Sequence, residues 1–357
     1  MRFVDSVELQ NAACSILVAS GFPMEQSEKI AQHLVLANLR GVDSHGVSRV
    51  EIYAKRLSAG LTSTADEAVV ERETDSSILL NGMSRHGILN ATEAIDAGVA
   101  KAIETGICMV GVRNSSHCGM MADYTGRAAS QGLIAIGMTN APANMPPWGG
   151  SKRYLGTNPF SYAIPRYGAP PIIFDMASSV VARGKIILAG TNGTSIPVGW
   201  ALDKDGHPTT DPAEALDGVV LPVGGPKGYG IALMVEILSG ILTGSNFGPH
   251  IPDLYKDLEH DQNLGHAFVL VRADLFRSVE DFHADTEALI AEIKGVALAS
   301  GSTEILLPGE IEERTANKRR SEGIPLTEEV TALLETTARQ YGVTTNHNLV
   351  NTSKGAR

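Results

Sequence analysis

A chain of 357 residues is long enough for two domains and buries roughly three-quarters of its unfolded surface on folding. Its net charge of −11 argues against the basic footprint that nucleic acid or an anionic membrane surface requires, and no apolar run reaches membrane-spanning length. Residues 1–5 carry no apolar leader, and Cys14, Cys108 and Cys118 show no CxxC spacing, so a cytoplasmic, disulfide-free, zinc-free protein is expected.

The chain opens with a helical segment. Asp5 with Glu8 forms a capping pair ahead of Val7, Leu9, Ala13, Ile16 and Leu17, and Gly21-Phe22-Pro23 ends the helix. A second helix runs over residues 25–40, and residues 41–47 read as a turn. Ser48 with Glu51 is a second capping pair, opening a helix through Arg49, Tyr53 and Leu57 that stops at Gly60. From residue 71 the texture changes. Residues 77–80 read as a short strand followed by a hairpin signal, Asn81-Gly82, and residues 91–105 as a helix.

Residues 107–138 then give strand, turn, helix, strand, with His117 in the polar turn, the helix over 120–131 and a stop at Gly132. A loop rich in Gly, Pro and Asn covers 140–159, and two apolar runs, 160–164 and 171–174, end at Asp175. Residues 198–207 read as a hairpin, 224–230 as a glycine-rich turn, 231–242 as a helix and 267–272 as a strand. The tail, 278–342, is again helical with a break at Pro308-Gly309-Glu310. Helices at both ends therefore bracket a mixed region, which predicts a helical domain of residues 1–70 with 286–357 and an α/β domain of 71–285.

Three stretches carry candidate chemistry. Arg49 and Tyr53 share a helix face, and Ser44 and His45 lie just ahead of that helix. Arginine offers a fork for a carboxylate, tyrosine a neutral donor, and histidine a group that titrates near neutral pH. The same residues would equally serve as a surface ion pair and an interface tyrosine. Asp175 at a strand end suits either a hydrogen bond to a histidine or ribose hydroxyl, or a helix cap. Residues 224–230 (GGPKGYG) combine close backbone approach with the charge of Lys227, which fits a phosphate or simply a tight turn. No Rossmann fingerprint, Walker loop, GxSxG elbow or metal-ligand spacing occurs. His33, His250, His260, His266, His283 and His347 read as surface or packing residues, and a metal is not expected.

Five blocks, residues 40–60, 112–124, 138–165, 174–179 and 224–240, occur in the order of one family. The chain resembles the malate/L-lactate dehydrogenase type-2 group, which also holds ureidoglycolate, sulfolactate and diketogulonate dehydrogenases and cyclic-imine reductases. The resemblance runs from about Asp5 to Gly323. It implies an α/β fold with a non-Rossmann, mixed-sheet nicotinamide-binding domain, as in sulfolactate dehydrogenase, and active sites between the subunits of a homodimer or larger assembly. It implies catalytic roles for His117 and His45 and substrate binding by Ser44, Arg49 and Tyr53. It further implies cofactor contacts from Ala141, Asp175, Met176, Ala177, Lys227 and Gly228, with Pro308, Gly309 and Glu310 beside them. Where many members carry a polar residue this chain has Ala141, which leaves a backbone contact. The expected reaction is NAD-dependent oxidation of a small 2-hydroxy acid of the malate or L-lactate type, with NADP as the other cofactor. A cyclic-imine reductase on the same scaffold is the main alternative, ahead of a metal-free lyase or isomerase and a non-catalytic sensor.

Overall fold

The computed structural model describes residues 2–344, so His347 and the rest of 345–357 lie outside the described residues. Strand β1 (Arg2–Val4) leads into helix α1 (Ser6–Ser20). Asp5 caps it, accepting from the N–H groups of Val7 at 2.8 Å and Glu8 at 3.2 Å, and Gly21 closes it at φ 113°. Helix α2 (Met24–Leu39) follows, then two 3-10 turns (Asp43–His45 and Val47–Arg49) and α3 (Val50–Ser58). Ser48 is not the cap of α3. The second 3-10 turn runs straight into the helix, and the Ser48 hydroxyl donates to the Asp43 carbonyl instead.

The middle of the chain forms β2 (Val69–Thr74), β3 (Ser77–Asn81), α4 (Gly87–Thr105), β4 (Ile107–Ser115), α5 (Met121–Ala129) and β5 (Leu133–Thr139). Then come β6 (Phe160–Ile164), β7 (Ile172–Met176), α6 (Arg183–Thr191), β8 (Ala201–Leu202), β9 (Pro208–Thr209), α7 (Pro212–Asp217) and β10 (Val219–Val220). Helix α8 (Pro226–Val235) passes into a π turn (Glu236–Ile241), and β11 (Leu264–Arg272), α9 (Val279–Lys294), α10 (Glu310–Glu322), β12 (Ile324–Leu326) and α11 (Glu328–Gln340) complete the described chain. Two expectations about turns change. The hairpin is β2–β3, with its turn at residues 75–76, and Asn81-Gly82 leaves the sheet toward α4. Helix α8 starts at Pro226, so Lys227 and Gly228 stand on its first turn.

Seven strands form one sheet in the order β2-β3-β4-β11-β5-β6-β7. Only β3 and β4 pair in parallel; β11 enters between β4 and β5, antiparallel to both. A Rossmann sheet cannot contain that strand, which accounts for the missing fingerprint. Alternation along β4 turns Cys108, Val110 and Val112 toward α4 and α5, while Met109 faces the opposite side with Met138, Ala267 and Val235 of α8. Both faces are thus covered by helices. Gly98 lets α4 settle on the sheet, since a Cβ there would come within 2.3 Å of Leu270.

A separate core joins Leu9, Ile16 and Leu17 of α1, Ile30 and Leu34 of α2 and Tyr53 of α3 to Ala316 of α10 and Leu334 of α11. The antiparallel pair β1–β12 ties the two ends of the described chain together beside it. The histidines of interest stand where this helical core meets the C-terminal end of β4.

Candidate active site

Ser44, His45, Arg49, Tyr53 and His117 come together in one cluster. His45 lies on the first 3-10 turn and His117 in the turn between β4 and α5. Their rings stack at 5.7 Å with planes 21° apart. The Tyr53 hydroxyl lies 2.7 Å from His117 Nδ1, and the Ser44 hydroxyl 2.9 Å from His45 Nδ1. Both Nδ1 atoms are therefore engaged from within the chain, leaving Nε2 of each ring without a partner among the described residues. Arg49 donates from Nε to the Ser44 carbonyl at 2.8 Å, and its guanidinium lies 5.2 Å from the centre of the Tyr255 ring. That leaves the outer edge of the fork for an anion, the geometry in which arginine grips a carboxylate.

The electrostatics follow from burial. Desolvation, then Arg49, pushes the His45 imidazole down to about 3, and the same two causes hold His117 well below its ordinary value. Both residues nonetheless keep a partly open face. Desolvation raises the Tyr53 phenol, so it remains a neutral donor. The site is thus two neutral imidazoles and a phenol beside one guanidinium, a net positive patch inside an acidic protein.

A second set of sequence-selected residues forms a continuous wall. The Ala122 N–H, at the start of α5, donates to the Asp175 carboxylate at 2.8 Å, which links the His117 turn to the end of β7. Desolvation pushes that carboxyl up to about 6, against the Ala122 N–H and Arg40, although the residue as a whole is exposed. Beyond Met176 and Ala177, Ser178 accepts from Val223 at 2.9 Å, which brings up the glycine-rich turn. The Ala141 N–H is already donated to Asn158 at 3.1 Å, so its carbonyl is what remains for a ligand. The first-turn N–H groups of α8 also bond locally, Gly228 to the Val223 carbonyl at 2.9 Å, leaving the exposed Lys227 ammonium as the charged group there.

At the other end of the wall, the Ile173 N–H donates to the Pro308 carbonyl at 3.3 Å. Pro308, Gly309 and Glu310 line a cavity of about 240 Å³ with Arg40, Arg166 and Arg314. Gly309 is held at φ 91°, and a Cβ would stand 2.8 Å from the Ile173 carbonyl. Arg40 is nine-tenths buried and its Nε has no partner. Of the three arginines edging this cavity, Arg166 and Arg314 are already paired with Glu287 and Glu304, which leaves the Arg40 Nε as the unsatisfied donor that a phosphate could meet. Among the described residues, no group of three His, Cys, Asp or Glu side chains is placed to hold a metal ion.

Sequence reasoning missed several neighbours. His86, fully buried, caps α4 through Nδ1 at 3.2 Å from Ile88 N and sets its ring edge-on to Tyr53 at 4.1 Å. Tyr255, 206 residues from Arg49 in sequence, could not be paired with it by spacing. His33 and His266 are buried as expected for packing residues, whereas His250 and His260 are exposed.

The malate/L-lactate dehydrogenase family model matches residues 4–335. The chain is 34% identical over 322 residues to a ureidoglycolate dehydrogenase (NAD(+)) of Escherichia coli O157:H7, covering 90% of each. It is 36% identical over 344 residues to a malate dehydrogenase of Pyrococcus abyssi, covering 94% of each. A (2R)-3-sulfolactate dehydrogenase (NADP(+)) of Chromohalobacter salexigens is 38% identical over 269 residues, 74% of this chain and 79% of the other. Among solved structures, sulfolactate dehydrogenase from Methanocaldococcus jannaschii superposes with a TM-score of 0.90 at 33% identity, covering 96% of this chain and 98% of that one. A Δ1-piperideine-2-carboxylate reductase from Pseudomonas syringae pvar. tomato superposes with a TM-score of 0.85 at 27% identity, covering 95% and 100%.

Proposed function

The chain belongs to the malate/L-lactate dehydrogenase family, and from that premise we propose how its residues divide the work. It is an NAD(P)-dependent oxidoreductase of small 2-hydroxy and 2-keto acids. The observation that carries our reading is the stacked pair of imidazoles beside a guanidinium whose outer edge has no partner among the described residues. Arg49 holds the substrate carboxylate, with Ser44 beside it. The proton moves between the substrate hydroxyl and His117 Nε2, whose ring is held at Nδ1 by Tyr53, and His45 Nε2 hydrogen-bonds the same substrate oxygen. In reduction the His117 imidazolium returns the proton to the developing alkoxide. A bound nicotinamide would supply the hydride acceptor for the hydroxyl-bearing carbon, or the donor in reduction. Ala141, Asp175, Met176, Ala177, Lys227 and Gly228 hold that cofactor, with Pro308, Gly309 and Glu310 at the far end.

The second reading, a cyclic-imine reductase, draws support from the likeness to the piperideine-2-carboxylate reductase. There the same imidazolium protonates nitrogen rather than oxygen. A panel of 2-keto acids and cyclic imines, each tested with NADH and NADPH by absorbance at the nicotinamide band, separates the two and sets the cofactor. Turnover of oxaloacetate or pyruvate supports the first reading; turnover of the imine alone replaces it with the second.

Three further assignments are ours. We take the helical domain to be residues 1–70 with 286–357, around 71–285. We expect a homodimer or larger homo-oligomer, because Leu233, Met234, Ile237, Ile241 and Leu242 leave an exposed apolar stripe along α8 and the π turn. No helix among the described residues is long and apolar enough to cross a membrane, the three cysteines are free, and we place the protein in the cytoplasm.

A further inference from the structure

We propose that α2 is the positioning element of this site, with His33 gripping the turn that carries His117 and Asn38 gripping the turn that carries His45. The proposal rests on the reading of those two histidines given above. His33 and Asn38 stand five residues apart on α2, about 7.5 Å of helical rise, and both are buried.

On the His33 side, Nε2 accepts the Met120 N–H at 2.9 Å. A backbone N–H can only donate, so the ring hydrogen sits on Nδ1, which faces Asp123 at 2.7 Å. Asp123 is itself held by Arg127 at 2.8 Å, and these two partners outweigh its burial and keep the carboxyl at about 2. The ring presses close to Gly119, where φ is 73° and a Cβ would lie 2.2 Å from His33 Nε2. Gly119 in turn donates its N–H to His117 Nδ1 at 3.3 Å. An unbroken line of contacts therefore runs from α2 to the ring proposed to move the proton.

Asn38 works in the other direction. Its Oδ1 accepts the Val47 N–H at 2.9 Å, and its Nδ2 donates to Asp43 at 2.7 Å. Those contacts clamp both sides of Gly46, where a Cβ would meet Asn38 Oδ1 at 2.2 Å. Arg319 of α10 holds Asp43 at 2.7 and 3.0 Å and also donates to the Asn38 carbonyl. Apolar residues at 33, 38 and 123 would fill this interior with less desolvation cost. What the polar set adds is direction: the two backbone turns otherwise meet through the apolar packing of Ala37, Val42, Met120 and Ala122 and through the Tyr53–His117 hydrogen bond, and neither holds a backbone N–H.

The test uses the full chain and the best 2-keto acid from the panel. H33F keeps a ring against Tyr124, now stacked at 5.3 Å, but loses both hydrogen bonds; N38L likewise loses both of its own. Each is expected to lower kcat about 10- to 100-fold, as small misplacements at a reacting centre do, with KM and NADH affinity (by fluorescence) within about threefold. Because either change spoils the same pair, the double variant should fall no further than the worse single one, whereas independent destabilisation would multiply. D123N, which keeps an acceptor for His33, should restore most of the activity that D123L loses. If H33F does not fold, H33Q, which keeps one of the two bonds, is expected to lose about three- to tenfold in kcat. Variants that bind NADH normally yet keep kcat within threefold, or losses that multiply and follow melting temperature, overturn the proposal. H117A is the control. If it too keeps its rate, the reading of the site has failed; if it is inactive while H33F and N38L are not, only the role of α2 has failed.

Discussion

His266 and His117 are close neighbours with opposite treatments. His266, on β11, is fully buried and uses both ring nitrogens, Nδ1 with the Thr139 hydroxyl and Nε2 with the Ser115 hydroxyl, each at 2.8 Å. Desolvation pushes it down to about 3. His117, two residues beyond Ser115, is also depressed by burial but commits only Nδ1 to the chain. Lost basicity is therefore common to a packing histidine and a working one. What separates them is a ring nitrogen left over and a cation beside it.

Substitutions should divide along that line. The largest effect is expected from H117A, which should lower kcat by about two to four decades while leaving the melting temperature nearly unchanged. R49A should raise KM and lower kcat/KM about 10- to 100-fold, the weight of a charge-assisted pair, measurable on the same keto acid. H266L should do the reverse of both. It removes one partner from each of the Thr139 and Ser115 hydroxyls, which keep the Gly265 carbonyl and the Asn90 amide, at about 0.5–1.5 kcal/mol each by urea unfolding, with kcat within a few-fold.

The pH dependence of stability sharpens the contrast. His266 has a folded pKa of about 3, below the ordinary 6.5 it regains on unfolding. The unfolded chain therefore binds the extra proton first. Its contribution is complete above pH 6.5 and is lost as pH falls toward 3, and H266L should flatten that part of the unfolding curve. The smallest effect is on rate. Because His117 is depressed, its base form persists below pH 6.5, so the acid limb of kcat/KM for hydroxy-acid oxidation should lie below that of free imidazole. A limb at or above 6.5 would show that substrate-free burial does not govern the ring.

Much of the molecule was legible where the signal is local. Asp5 and Gly21 mark the two ends of α1, and the four-residue spacing of Arg49 and Tyr53 put both on the side that meets His117. Local signals also misled. Asn81-Gly82 has hairpin chemistry, but Gly82 donates to the Arg113 carbonyl at 2.8 Å and leaves the sheet, so tertiary contact overrode the turn preference. The Ser48–Glu51 pair looked like a cap because spacing cannot register a 3-10 turn running into a helix. His33 with Asp123, and Arg49 with Tyr255, are joined only by the fold and have no sequence periodicity to reveal them.

The place of β11 has a consequence for how the molecule is made. The strand at the middle of the seven-stranded sheet comes from residues 264–272, long after its neighbours β4 and β5. Until it leaves the ribosome, those neighbours have no partner between them, and the Ser115 hydroxyl beside the His117 turn waits for His266. Maturation therefore cannot proceed piecemeal from the N-terminus: a truncated nascent chain carries two open edges, a hazard for aggregation, until a late insertion closes them.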